Sequence, residues 1–188
     1  MYRFWKDAVR GIDCDNIIEE YKKLGLSEAN VATGDVIGAN CSTYAVDKDI
    51  RESKVNWLEE NNALTRTIWS YITDANKLYF NYELSGHETA QFARYEKDEF
   101  YTWHTDSGGA SDKSDSVRKI SATLQLSKPE DYEGCELQFY KGDKDPDELP
   151  KDQGTIVIFN SFDWHRVSPT ISGTRYSLVM WARGPRFQ

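Results

Sequence analysis

Two histidines and an aspartate constrain this chain more than anything else in it. His104 and Asp106 stand two residues apart, and His165 comes much later. On a β-strand, residues two apart share a face, so His104 and Asp106 can project together. His165 can join them only if a second strand lies alongside the first. The pattern therefore asks for a β-architecture in which distant strands converge. Two imidazoles and one carboxylate on one side of a metal leave positions open for O2 and a co-substrate, which suits non-haem Fe(II). Arg175, further along, adds a planar and permanently charged fork suited to a carboxylate. Together these residues point to Fe(II), O2 and a keto acid.

Taken singly, each piece has an ordinary reading. A His-x-Asp pair arises by chance, His165 beside Arg166 suits a surface or capping position, and Arg175 suits a salt-bridged strand. The weight lies in the conjunction. The chain has three histidines, and two of them fall where the constellation needs them. The third, His87 in Ser85-Gly86-His87-Glu88, lies in a polar, turn-like stretch and reads as solvated.

The 188 residues suffice for one domain with a substantial core. A net charge of -8 argues against a nucleic-acid partner, whose phosphates are held largely by Lys and Arg. No apolar run reaches the roughly 18 residues of a membrane span. The start, Met1-Tyr2-Arg3-Phe4-Trp5-Lys6-Asp7, lacks the apolar core of a signal peptide. Cys14, Cys41 and Cys135 are odd in number and scattered, which fits free thiols in a reducing compartment. Such a compartment also keeps iron ferrous, so the cytoplasm is the expected location.

Asp13 or Asp15 reads as a helix cap ahead of Ile17, Ile18, Tyr21 and Leu24, with Gly25 closing the helix. From about Lys54 to Asn76, the steps between Trp57, Leu58, Leu64, Ile68, Tyr71, Ile72 and Ala75 predict a longer helix that supports a sheet. From about Leu78 the texture changes to short strands at 91–95, 101–105, 120–126, 136–140, 155–159, 165–167 and 175–181. Such spacing predicts a sandwich or jelly roll. The expected whole is one domain over 1–188, with about 1–80 as helical support and about 81–188 as the β core. The Gly/Ser/Asp-rich stretch from Ser107 to Arg118 follows the presumed ligands and reads as a mobile substrate lid. Between Lys141 and Asp152, Asp143, Asp145 and Asp147 imitate a calcium loop. Glu148 stands where that loop needs Gly and Gly154 where it needs Glu, so a solvated hairpin loop is expected.

The run from Arg94 to Asp106 resembles the prolyl 4-hydroxylase branch of the Fe(II)/2-oxoglutarate-dependent dioxygenases. That branch places Tyr nine and three positions before the first ligand His, here Tyr95 and Tyr101. The run from Arg118 to Leu126, then Gly134-Cys135-Glu136-Leu137, is similar to the strand and Gly-Gly-Glu-Leu-like turn that follow. The segments from Ile156 to Ser161, His165 to Pro169 and Gly173 to Arg175 resemble the distal-ligand region. The resemblance covers roughly residues 90 to 183. The usual Gly between the two tyrosines is absent, and Cys135 replaces the second Gly of the turn. Arg175, where collagen-type enzymes use Lys, places the resemblance nearer the bacterial and phage type.

This resemblance implies an α+β fold with a mainly β core, a double-stranded β-helix (jelly roll) supported by N-terminal helices. It implies that His104, Asp106 and His165 hold Fe(II), with 2-oxoglutarate and O2 as co-substrates. Arg175 would pair with the C5 carboxylate, with Ser177 two along the same strand and Tyr95 as further donors. Thr123 and Gln125 alternate on a strand expected to face the pocket. Tyr101 shares the ligand face and is a candidate for the substrate side, with Asp163 and Trp164 at the mouth. Trp103 is expected to point away into the core, and Trp181 to pack the barrel. The implied reaction hydroxylates a prolyl or similar residue of a peptide or protein, releasing succinate and CO2. The alternatives are the same chemistry on a free amino acid or other small molecule, and a non-catalytic metal-binding β-barrel interaction module. A long flexible loop and abundant Tyr and Trp favour a peptide or protein partner. The intact ligand set disfavours the module.

Overall fold

A computed structural model describes residues 2–33, 43–58, 63–107 and 115–187. Its two main sheets use, in chain order, β1 (Tyr2–Trp5), β2 (Ser27–Glu28), β3 (Arg51–Glu52), β4 (Lys54–Trp57), β5 (Gln91–Tyr95) and β6 (Phe100–His104). These continue with β7 (Ser116–Gln125), β8 (Leu137–Phe139), β9 (Asp147–Glu148), β10 (Ile156–Asn160), β11 (His165–Val167) and β12 (Arg175–Pro185). One sheet runs β1-β10-β7-β12-β5-β4-β2, with the short strand Gly86–His87 added against β12. The other runs β9-β8-β11-β6-β3. Neighbours in both pair antiparallel. The result is a jelly-roll-type, mainly β core with two 13-residue helices, α1 (Gly11–Lys23) and α2 (Ala63–Ala75).

Strand alternation sorts the larger sheet into an apolar face and a working face. Ile120, Ala122 and Leu124 on β7, Ile156 and Ile158 on β10, and Leu178, Met180 and Ala182 on β12 pack with α1 and α2 into one core. Cys14, Ile18 and Tyr21 of α1 and Ile68, Ile72 and Ala75 of α2 meet them there. The intervening residues turn the other way: Thr123 on β7, Phe159 on β10, and Arg175, Ser177, Val179 and Trp181 on β12 line one cavity. A register shift between Arg118 and Ile120 breaks this parity. Such a bulge re-aims the bulged strand's side chains. Here it accompanies a turn of Arg118 toward the working side, where Arg118 lines the outer chamber described below.

The expected strands are present to within a few residues, joined by unexpected short ones such as Tyr132–Gly134, Asp147–Glu148 and Thr170–Gly173, and the first 80 residues contribute more than helices. The expected helix from Lys54 to Asn76 is a strand at Lys54–Trp57 and a helix only from Ala63 to Ala75. Val55 is buried, and the segment pairs with β5 from Lys54↔Arg94 to Trp57↔Gln91, so tertiary pairing outweighs the local helical spacing. Trp57 stands 47% exposed rather than in a core stripe. In α1 the cap is Arg10 instead of Asp13 or Asp15. Asp13 sits in the first turn, where the helix dipole favours a carboxylate, and Arg10 donates to it at 2.8 Å. Gly25 does follow the helix end, with φ +77. His87 is exposed and packs beside Trp69. Cys14 and Cys135 are buried free thiols, while Cys41 lies outside the described residues. The expected lid falls largely on 108–114, which also lie outside them. In the 141–152 segment, Asp147 accepts a hydrogen bond from Tyr2 and pairs with Lys141.

Candidate metal centre

His104 ends β6 and His165 opens β11, and the two are Cα partners across the antiparallel ladder. Asp106 lies just past the end of β6, so it reaches the centre from the turn and not by strand alternation. Its backbone N–H donates to the Ser161 carbonyl at 2.8 Å, which fixes that turn. His104 Nε2 lies 3.5 Å from Asp106 Oδ1, and His165 Nε2 lies 3.5 Å from Asp106 Oδ2. One donor atom from each of the three falls within 4.8 Å of the others.

Outer contacts set which ring nitrogens face inward. His104 Nδ1 is 2.8 Å from the Thr102 carbonyl, and His165 Nδ1 is 2.9 Å from the Asp163 carbonyl. A carbonyl only accepts, so each Nδ1 carries a proton, which leaves the Nε2 of a neutral ring free to present its lone pair to a metal. Burial pushes His165 down to about 4, which keeps it neutral at pH 7. Burial also works against charge on Asp106, yet His165 and His104 beside it hold the carboxyl well below its usual range. Ser121 donates to Asp106 Oδ2 at 2.7 Å and lies 2.9 Å from the Ser161 hydroxyl. Two imidazoles, one carboxylate and oriented outer partners fit a divalent metal such as Fe(II).

Arg175 is 1% exposed. Its Nε and Nη2 donate to Gln125 Oε1 at 3.1 and 2.8 Å, and its guanidinium lies 5.9 Å from the Tyr95 ring centre. Tyr95 is its Cα partner on β5, and Gln125 is the partner of Ser177 on β7. None of the ion pairs among the described residues gives Arg175 a carboxylate. Arg175, Ser177, Thr123 and Tyr95 line the same cavity as the three metal-ligand candidates. Gln125 does not line it; its carbonyl is spent on orienting Arg175.

Tyr101 stacks on His104 with centroids 3.5 Å apart and planes 11° apart. Trp103 points away from the ligands as expected, though it is only half-buried, beside Tyr140 and under Arg166. Trp181 is buried beneath Arg118 but also lines the cavity, and its indole N–H has no described partner. Asp163 and Trp164, expected at the mouth, line a separate groove of about 740 Å³ with Tyr2, Phe4, Phe139 and Tyr140. Trp164, just before the buried His165, is 56% exposed, and Asp163 meets His165 only through its backbone carbonyl.

The sequence reading missed several contributors. Ser121 shares a face with Thr123 and Gln125 at two-residue steps, a signal that alternation carried. Gln91 shares a face with Tyr95 in the same way, whereas Arg51 and Ser53 had no signal, because they belong to a region read as support. Arg51, Gln91, Tyr101, Asp106 and Trp181 join the inner cavity to an outer chamber of about 500 Å³. There Glu88 accepts from Arg118 at 2.8 and 2.5 Å and from Arg183 at 2.7 Å.

Residues 90–183 match the family model of the 2OG-Fe(II) oxygenase superfamily, and the chain belongs to that superfamily. A PKHD-type hydroxylase of Shewanella baltica is 34% identical over 91 residues, 48% of this chain and 40% of that protein. One from Crocosphaera subtropica is 37% identical over 91 residues, with the same two shares. The matched part thus spans about 40% of the length of these relatives. Among solved structures, a viral collagen prolyl hydroxylase from Paramecium bursaria Chlorella virus-1 has a TM-score of 0.72 at 19% identity. It covers 97% of this chain and 96% of its own. A Pseudomonas putida prolyl-4-hydroxylase has a TM-score of 0.71 at 19% identity, covering 97% of this chain and 92% of that one. At these identities the structures show the shared fold.

Proposed function

We propose that this chain is an Fe(II)- and 2-oxoglutarate-dependent dioxygenase that hydroxylates a prolyl or similar residue of a peptide or protein, releasing succinate and CO2. One observation carries the reading. A 2-His-1-carboxylate set and a buried guanidinium without a carboxylate partner line one cavity. Fe(II), when bound, supplies the electron-transfer chemistry that couples O2 to oxidation of 2-oxoglutarate. His104, Asp106 and His165 would hold the metal, and Arg175 would pair with the distal carboxylate of the keto acid. Gln125 keeps the Arg175 fork in one orientation, which lowers the entropy lost on binding. Ser177 and Thr123 offer hydroxyl donors beside it. Tyr101 covers one face of His104 and excludes water there. On this reading the jelly-roll core is a double-stranded β-helix and the protein works in the cytoplasm.

The prolyl hydroxylases among the structural relatives support a peptide or protein substrate, including one from Trichoplax adhaerens in complex with a hypoxia inducible factor peptide fragment. A free amino acid is the second reading, favoured by a second buried guanidinium, Arg51, at the same cavity. Succinate release from Fe(II)-loaded protein tests the reaction, using a panel of proline-containing peptides and free amino acids. Stimulation by one substrate class assigns it. No 2-oxoglutarate consumption with any of them, together with no 2-oxoglutarate binding, rejects the reading.

A further inference from the structure

Arg51 comes from β3, outside the residues matched to the superfamily. It is 7% exposed, and its held donors go to neutral groups: Nε to Ser53 Oγ at 2.8 Å and Nη2 to Gln91 Oε1 at 3.0 Å. Its guanidinium also sits 4.8 Å from the centre of the Tyr101 ring. The same ring stacks on His104 with centroids 3.5 Å apart, and Arg51 lines one cavity with the three metal-ligand candidates. Among the described residues no carboxylate lies within ion-pair distance of Arg51. The other guanidiniums of the chamber, Arg118 and Arg183, share Glu88. Asp106, the acid common to both cavities, is engaged by two imidazoles and Ser121.

A buried charge left without a counter-charge is costly, and a site that retains one is built to receive it from a ligand. Arg175 meets the same criterion at the inner end, where the keto acid's distal carboxylate fits. Arg51 stands one aromatic ring away from His104, facing both the cavity and the outer chamber. We infer that Arg51 is a specificity residue that reads a carboxylate on the primary substrate, within about one residue's length of the carbon to be hydroxylated. The carboxylate has two possible sources: an acidic side chain next to the reacting residue, or the main-chain carboxylate of a C-terminal or free amino acid. The inference rests on the oxygenase reading above. Ser53 and Gln91 act as its positioning residues, holding the fork without neutralising it.

The test uses the full chain loaded with Mn(II) and 2-oxoglutarate, so that binding is measured without turnover. Two tryptophans, Trp57 and Trp181, line the outer chamber and make intrinsic fluorescence the readout. The probes are acetyl-Ala-Pro-Glu amide, its Gln counterpart, acetyl-Ala-Pro with a free C-terminus and its amide, and free proline with prolinamide. At least one carboxylate probe should bind ten-fold or more tighter than its neutral partner. The pair that shows this identifies the source. In Arg51→Gln the preference should fall below two-fold while 2-oxoglutarate affinity stays within two-fold of wild type. Arg51→Lys, which keeps the charge, should retain part of the preference and controls for folding. No carboxylate preference in the wild-type chain, including no binding by any probe, overturns the inference. So does a preference that survives in Arg51→Gln, or a loss of 2-oxoglutarate affinity there, which would assign Arg51 to the co-substrate. Failure of the oxygenase reading is seen separately, as absent 2-oxoglutarate binding by the wild-type chain before any probe is added.

Discussion

His165 sits directly across the ladder from His104, Cα opposite Cα, with ring centroids 4.2 Å apart. A single backbone pairing, β6 with β11, thus sets the spacing of two metal-ligand candidates. Asp106 is added by the turn that follows β6, under the control of Ser121 and Ser161.

The first prediction concerns that centre. His165→Ala should abolish measurable Mn(II) or Fe(II) binding in calorimetry while the chain stays folded by circular dichroism. Ser121→Ala removes a partner of the ligating carboxylate and should weaken metal binding by roughly 10–100-fold. Unchanged metal affinity in His165→Ala rules out this centre.

Arg175→Ala should raise the 2-oxoglutarate dissociation constant by about two orders of magnitude, because a buried charge-assisted pair loses one partner. Gln125→Ala frees the fork without removing its charge, so a smaller rise of about ten-fold is expected, near 1.4 kcal/mol. Both variants should keep wild-type metal affinity. Calorimetric titration of 2-oxoglutarate into the Mn(II) form reads the first two, and titration of Mn(II) into the apo chain reads the third.

Glu88 ties stability to pH. Burial opposes its charge, but hydrogen bonds and charge from Arg118 and Arg183 leave its pKa lowered. A lowered folded pKa stabilises the protein above the unfolded value and loses that stabilisation as pH falls through the folded one. Glu88→Gln should therefore cost about 2 kcal/mol at pH 7, the scale of a hydrogen bond to a charged group. The difference from wild type should shrink as the pH drops below the ordinary glutamate range. Urea melts across pH check it: a constant difference at every pH contradicts the role.

Ile72 reports on the other side of the sheet. It is 0% exposed in the core between α2 and the larger sheet. Ile72→Ala should cost about 2–5 kcal/mol of stability, through lost burial and the cavity left behind. Because that core lies on the face opposite the cavity, 2-oxoglutarate affinity below the melting transition should not change. A shift in that affinity would couple the helices to the site.

Residue identity and spacing were enough, before any coordinates, to select the three metal-ligand candidates and Arg175. Alternation along β12 likewise put Ser177 on the face of Arg175, and along β7 Thr123 on that of Gln125. These features are local: two-residue periodicity and donor chemistry are written into neighbouring positions. Tertiary structure alone decided the rest. It made 54–57 a strand, because a partner at β5 satisfies backbone groups that helical spacing cannot foresee. It turned Gln125 from a pocket residue into the holder of Arg175, and sent Trp164 to a different groove. It also carried Arg51 from a segment with no motif to the side of Tyr101, through the pairing of β3 with β6. Such juxtapositions depend on which strands meet, and strand pairing is settled by packing over long sequence separations that no short window of sequence contains.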